Sequence, residues 1–567
     1  MLRTAPGGGQ GPAGVYTVPQ GGAATRACNK GRFDEMTTGP QFPLGTVPDG
    51  TYLEAITAAW GHLGIWDYLA YDEAGDLWIG GLRVLDAVER YGSPLEIVDT
   101  TLVERRAQEW MALTRSVADA AGYPGHLEYL YAGKANMASE IVHAALRSGW
   151  GAETSSGQEL GNLAWMRRHG LLPPGLRIVC NGFKLPPLAY GQPSRAPSAA
   201  ASTIALPPGG ADDRTHDVAY AERIVALARD GWDITPILDS GELEYFARPE
   251  TPPMSVGLRL KFGPVEDETA LARLVSRFGM TLPELEATAT ALDTVAHLEW
   301  TTLHAMVGAA HTFPVERIVA SLGFAGRLWA RLRRRHPTLR ELNIGGGVPP
   351  LGEAWDHRLF LRGLYAALAA ASRAEGVPPP DVTFELGSLV AEEAGFHVFK
   401  IIQVKDNHDD PGAADDWAIV DGGLMAAIPD MLILGKPFRF LAAGGAHGPA
   451  RPARVGDLTC DSDGRYPPRA LGDDAAVLLP GGHGMQHLVI QGVGAYQEIL
   501  AGVRGAHHCG LLEALELILE RRGDGVVHGR IMPRQTLADA AQLLGYTDEA
   551  RAALAATGAT SRPGALG

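Results

Sequence analysis

The stretch LEYLYAGK, residues 127–134, followed at once by MASEIVHAALRSG, residues 137–149, decides the fold. The first reads as a short apolar strand and the second as a helix, because apolar residues recur there at helical spacing. The same alternation runs on through LRIVCN (176–181), YAERIVALARDG (220–231), WDITPILDS (232–240) and MSVGLRLKF (254–262). It continues in EWTTLHAMVG (299–308), PVERIVASLGFAGRLWARLRRR (314–335) and ELNIGGG (341–347), with a helix after the last through Ala374. Repeated strand–helix units of this length imply a parallel sheet with helical crossovers, and their number favours a (β/α)8 barrel over an open sheet.

Outward from this core the texture changes. Residues 1–48 are rich in Gly, Pro, Thr and Ala without a period and read as a mobile tail. Residues 49–118 read as helix, strand, helix, strand, helix and form an N-terminal segment that contributes to a second domain. The barrel is placed at 119–379. From 380 to 567 short strands with frequent turns (VTFELGS, DWAIVDGGL, FRFLAA, DAAVLLPG) predict a β-rich C-terminal domain, a sandwich or barrel. Cys509 to Glu520 and Gln535 to Ala556 read as amphipathic helices capping it. Two stretches rich in Pro, Gly, Ser and Ala, Leu185 to Asp213 and Gly444 to Pro452, read as surface insertions. The fold class is therefore α/β, a TIM-like barrel plus a C-terminal β-rich domain with helical additions.

Composition bounds the function. The chain has 567 residues, 46% apolar and 20% charged, so it buries more than one core and is neither disordered nor a disulfide miniprotein. Its formal charge, 49 − 65 = −16, repels phosphate backbones and anionic membranes. Arg331 to Arg335 is the one basic run, and arginines at helical spacing are commonly a solvated face. Neither nucleic acid nor membrane is expected as a partner. The four cysteines, Cys28, Cys180, Cys460 and Cys509, are far apart and form no CxxC pair, so no metal site is expected. With no signal-like or membrane-spanning apolar run, a cytoplasmic protein is expected.

Lys134 ends a strand where a barrel opens its active site, so it is placed for amine chemistry, provided that an apolar or cation-flanked pocket lowers its pKa. The plain alternative is a surface lysine. Gly345, Gly346 and Gly347 follow a strand directly, where backbone N–H groups can cradle a phosphate, although a tight turn explains them equally. Glu385, in VTFELGS, again ends an apolar strand and can hold a protonated heterocyclic nitrogen, or be a solvated loop acid. LTCDSDG (458–464) and GVGAYQEI (492–499) place Cys460, Asp461, Asp463 and Tyr496 in loops of the β-rich half.

Taken together and in order, YAGKAN, GAETSSGQEL (151–160), CNGFK (180–184), LNIGGG, TCDSDG and GVGAYQEI resemble the fold type III pyridoxal-phosphate decarboxylases. That family contains alanine-racemase-like barrels and the ornithine, diaminopimelate and biosynthetic arginine decarboxylases, and TCDSDG and GVGAYQEI are especially close to the arginine branch. The likeness runs from about Tyr91 to Gly502. It implies pyridoxal 5'-phosphate as cofactor, with Lys134 holding it covalently, Gly345 to Gly347 and Tyr496 near its phosphate and Glu385 at its pyridine nitrogen. It also implies Cys460 as the proton donor, supplied across a homodimer interface into a shared active site. Asp461, with Asp463 beside it, would contact the distal cation of a basic amino acid substrate.

Three departures stand out. Where the family has H-x-H-[VIL]-G-S, this chain reads LHAMVGA, with Met306 in the place of the ring-stacking His and Ala309 in that of the phosphate-binding Ser. Where the family commonly has E-[PS]-G-R, it reads Glu385-Leu386-Gly387-Ser388, without the arginine. His304, His311 and Arg259 are candidates to compensate, His304 as a cofactor contact. The leading expectation is decarboxylation of arginine or a related diamino acid to an amine and CO2. An epimerase or decarboxylase of a modified or carrier-linked amino acid, and a catalytically silent regulatory homologue, are the competing readings.

Overall fold

The computed structural model describes Phe42–Pro43 and residues 49–184, 220–405, 416–471, 475–481, 486–505, 507–521 and 527–552. Eight parallel strands close a barrel: Leu127–Ala132, Gly151–Thr154, Arg177–Cys180, Asp233–Leu238, Met254–Arg259, Leu298–His304, Glu341–Asn343 and Asp381–Leu386. They neighbour one another in chain order, and the eighth pairs with the first, Val382 opposite Leu127 and Leu386 opposite Tyr131. Such strands are covered on both faces, and so read as apolar runs without alternation. Asp381–Leu386 lies past the boundary drawn at 379/380, because a closing parallel strand and a strand of the next domain have the same texture.

Helices wrap the barrel. Val315–Arg335 packs along His357–Glu375 through Gly326, where a Cβ would sit 2.6 Å from Leu368 Cδ2 and would require that side chain to shift. The outer face of the first carries the arginine run: Arg331, Arg334 and Arg335 pair with Glu268, Glu375 and Glu286. At the end of the barrel where the strands begin, the buried Glu341 carboxylate accepts from Arg177 Nη2 (2.5 Å), Thr302 Oγ1 (3.1 Å) and Thr383 Oγ1. Satisfied buried carboxylates of this kind fix register. Here the seventh strand is anchored two residues before Asn343, which enters the site below.

The second domain is built on a mixed sheet of eleven strands, with Phe399, Val420, Phe440, Leu488 and Ile490 in its core. The N-terminal strand Leu95–Asp99 lies inside it, antiparallel to Gly395–Lys405 and parallel to Leu515–Arg521. Arg106 joins this segment to the barrel's end, donating to Glu393 Oε2 (2.7 Å) and Asp67 Oδ2 (2.9 Å).

Four expectations change. Cys509 to Glu520 is a short 3-10 turn, His508–Gly510, followed by the strand Leu515–Arg521, whose LELILER sequence satisfies a period of two as well as a helical one. In Gln535 to Ala556 the helix Leu537–Leu543 forms, residues 548–552 make a further helical turn, and the rest lies outside the described residues. Gly444 to Pro452 is no surface insertion: Ala446 and Ala450 are fully buried, and the carbonyls of Ala446 and Gly448 accept from Leu53 and Tyr52 at the start of the helix Tyr52–Trp60. Phe42–Pro43, within the expected tail, pairs with Ala475–Ala476. The remainder of the tail and the insertion Leu185 to Asp213 lie outside the described residues. No described helix is long and apolar enough to cross a membrane.

Candidate active site

The ends of the barrel strands bring a set of polar side chains together. Lys134 follows the first strand in a 3-10 turn, Gly133–Ala135, and its Nζ donates to Glu153 Oε2 at 2.7 Å. Glu153 sits on the second strand with its side chain fully buried. Its other oxygen accepts from Ser155 Oγ (2.7 Å) and from Asn181 Nδ2 (2.9 Å), just past the third strand. The same Asn181 nitrogen donates to Glu385 Oε2 at 2.8 Å, so one amide bridges the two carboxylates.

Glu385, on the eighth strand, is 3% exposed. Asn343 Nδ2 donates to its Oε1 at 2.7 Å, and His304 Nε2, at the end of the sixth strand, lies 3.3 Å from its Oε2. Asn343 works in both directions, since its Oδ1 accepts from the N–H of Gly345 at 2.9 Å. The carboxylate and the glycine loop are thus held by one side chain. Burial alone would raise the Glu385 pKa; His304, Lys134 and the Asn343 amide outweigh it and hold the group well below the ordinary carboxylate range.

The glycine loop needs its glycines. Gly345 and Gly347 have φ of 70° and 92°, and a Cβ on Gly346 would lie 2.3 Å from the backbone oxygen of Glu385. Met306 packs directly on it: a Cβ on Gly345 would meet Met306 Cβ and Cγ at 2.8 Å. From the other domain, GVGAYQEI closes on the lysine turn. Tyr496 has φ of 68° and its N–H donates to Ala135 O at 2.6 Å, while Asn136 Nδ2 donates to Gly494 O at 3.1 Å. A tyrosine held in left-handed backbone is a strained conformation that persists where its surroundings fix it.

Lys134 does not meet the condition set by its sequence context. Burial pulls its pKa down, but Glu153 and then Glu385 outweigh this and hold the ammonium above the ordinary lysine value. The flanking groups are anions, so the amine is kept charged until a proton leaves, and Glu153 is the carboxylate in hydrogen-bond reach. Glu153→Gln should therefore move the pH profile for reaction of Lys134 with an added aldehyde downward by at least about one unit, since losing an anionic neighbour lowers a lysine pKa. An unchanged or upward-shifted profile, measured by borohydride trapping across pH, would remove Glu153 from this role.

Cys460, Asp461 and Asp463 are not brought to this site within the chain. Cys460 is free and exposed. Asp461 faces His508 at 3.5 Å and Asp463 faces Arg469 at 4.0 Å, on the surface of the β-rich domain. Of the groups considered as compensating, His304 is engaged with Glu385, and Arg259 lies over the Phe278 ring at 4.6 Å. The His311 side chain lies outside those described. The sequence motifs assign no role to Glu153, Asn181 or Asn343. The signal available was the one that singled out Lys134 and Glu385, a polar residue ending an apolar barrel strand.

Three buried polar atoms here have no partner among the described residues: Asn181 Oδ1, His304 Nδ1 and Glu159 Oε1. Unsatisfied buried atoms of this kind point to a polar ligand. The donor and acceptor set fits pyridoxal phosphate, with an amine for its aldehyde, a buried carboxylate for its pyridinium nitrogen and a glycine loop for its phosphate. The fit is weakest at the phosphate, where Ala309 stands in place of the family's serine and Ser388 in place of its arginine.

No family model matches the chain. Among curated proteins, a diaminopimelate decarboxylase from Actinosynnema pretiosum is 24% identical over 437 residues, 74% of this chain and 86% of that protein. One from Synechocystis is 38% identical over 86 residues, a match spanning 15% of this chain and 17% of that relative. A biosynthetic arginine decarboxylase from Alkalilimnicola ehrlichii is 23% identical over 58% of this chain and 49% of its own length. Among solved structures, the biosynthetic arginine decarboxylase from Campylobacter jejuni superposes with a TM-score of 0.68 at 19% identity, covering 90% of this chain and 95% of that one. The M. jannaschii diaminopimelate decarboxylase in complex with L-lysine gives 0.63 at 16% identity, covering 84% and 97%. The chain has the alanine-racemase-like barrel and sheet of the fold type III decarboxylases. Its relatives in sequence are the diaminopimelate and arginine decarboxylases of that family.

Proposed function

We propose that the chain is a pyridoxal-phosphate-dependent decarboxylase of a basic amino acid, releasing CO2 and an amine. The observation that carries this reading is the buried Glu385 carboxylate, tied to the glycine loop through Asn343 and to the Lys134–Glu153 pair through Asn181. When bound, the cofactor supplies an electron sink for the carbanion left as CO2 departs. Lys134 is the residue that would hold it covalently. Glu153 takes the proton that Lys134 must lose. Glu385, kept ionised by its neighbours, would hold a proton on the pyridine nitrogen, and Asn181 and Asn343 keep its two oxygens aimed. With no arginine at residue 388, phosphate binding rests on the backbone of Gly345 to Gly347 and on the segment leading to Tyr496.

The proton donor is the further part of the reading. A thiol can deliver a proton to a carbanion. Cys460 is free and exposed, and the described contacts of its loop do not reach Lys134, which supports a second copy of the chain bringing Cys460 and Asp461 to the site. Mixing Cys460→Ala with Lys134→Ala protein should then restore about a quarter of wild-type activity, through heterodimers with one intact site. No recovery in verified mixed dimers would remove the shared site. The activity itself is tested by incubating the reconstituted protein with arginine, lysine, ornithine and diaminopimelate and following amine formation by mass spectrometry. At least one should yield its amine; cofactor-loaded protein that converts none would overturn the substrate class.

A further inference from the structure

A second cavity, of about 330 Å³, lies in the β-rich domain, and none of Lys134, Glu153, Asn181, His304 and Glu385 lines it. Its wall combines the apolar side chains of Phe399, Met425 and Leu511 with the carboxyls of Glu96, Glu498 and Glu513, and also carries Arg534 and the imidazoles of His397, His507 and His508. Glu513 is committed, since its carboxylate accepts from the Arg504 N–H at 2.9 and 3.0 Å. Glu96 is not. It projects from the strand Leu95–Asp99, is 6% exposed, and among the described residues has neither a hydrogen-bond donor nor a cation. Glu498, half-buried on the short helix after Tyr496, has no hydrogen-bond donor among them, though the charge of Arg504 acts on it.

A buried carboxylate without a partner is costly, and a protein keeps one where something else completes it. We infer that this cavity binds an aliphatic amine, its ammonium held by Glu96 and Glu498 and its hydrocarbon body against Phe399, Met425 and Leu511. Among the described residues no group of three His, Cys, Asp or Glu side chains is arranged to hold a metal ion, so the cation expected is organic. The size suits a small ligand. Burial, followed by the surrounding carboxylates, pushes Glu96 far above the ordinary range and Glu498 up to about 9, so an arriving ammonium pairs with Glu498 as the carboxyl releases its proton to solvent. None of the residues that would hold the cofactor lines the cavity, although Thr459 and His508 of its wall adjoin the loop of Cys460 and Asp461.

The test titrates 1,5-diaminopentane calorimetrically into the full chain at neutral pH and fixed ionic strength. Saturable binding is expected, kept in Lys134→Ala and weakened at least about tenfold in the double variant Glu96→Gln/Glu498→Gln. The amine should raise the Tm of the wild type and not that of the double variant. Because the replaced carboxyls have no partner, the double variant without amine should melt at or above the wild-type temperature. Undiminished binding in the double variant, equal binding of 1-pentanol, equal stabilisation by sodium chloride, or a double variant that melts below wild type would each overturn the site.

Discussion

Lys134→Arg should lose at least about a thousandfold in decarboxylation while melting close to the wild-type temperature, because the guanidinium keeps a positive charge against Glu153 but cannot serve as the covalent amine. The comparison with Lys134→Ala is informative. Alanine removes the nucleophile and also the cation from Glu153, whose side chain is fully buried, so Lys134→Ala should lose activity to the same extent and melt lower as well. If arginine retained more than a few per cent of activity, Lys134 would be a structural partner of Glu153 only.

Glu385→Gln should lower kcat on the order of a hundredfold with a small change in KM, since the group acts on charge that develops during reaction and not on substrate binding. The structure adds a second reason. Both oxygens of Glu385 face donors, Asn181 and His304 at one and Asn343 at the other. An amide would turn an N–H toward one of these donors and disturb the aim of the site as well as its charge. A variant with unchanged kcat would make Glu385 a structural acid of the barrel end. Glu385→Asp, which keeps the charge and shortens the reach, should recover part of the lost rate.

Much of this was legible in the chain. The barrel could be read because its strands are short apolar runs and its helices long periodic ones, so Leu127–Ala132 and Val315–Arg335 leave little choice. Asp381–Leu386 and Leu515–Arg521 were not separable in the same way: the first closes the barrel while resembling the next domain, and LELILER fits either period. Pairing with distant chain, at Leu127 and at Leu95, decided both. In the site, residues with an unusual type for their position were found, Lys134 and Glu385 above all. Asn181 and Asn343 were not, because an amide at a strand end carries no chemistry of its own. Their part, joining two carboxylates and joining a carboxylate to a glycine loop, exists only once the barrel closes and brings the ends of its second, third, seventh and eighth strands to one mouth. The charge around Lys134 is illegible in the sequence for the same reason, since Glu153 lies 19 residues away along the chain and 2.7 Å away in space.

The most direct measurement is borohydride reduction of the protein reconstituted with pyridoxal phosphate, followed by proteolysis and peptide mass spectrometry. One reduced adduct is expected, on Lys134 in the peptide containing LEYLYAGK, formed in near-stoichiometric yield. An adduct on another lysine such as the buried Lys184, or reconstituted protein that takes up no cofactor, would contradict it.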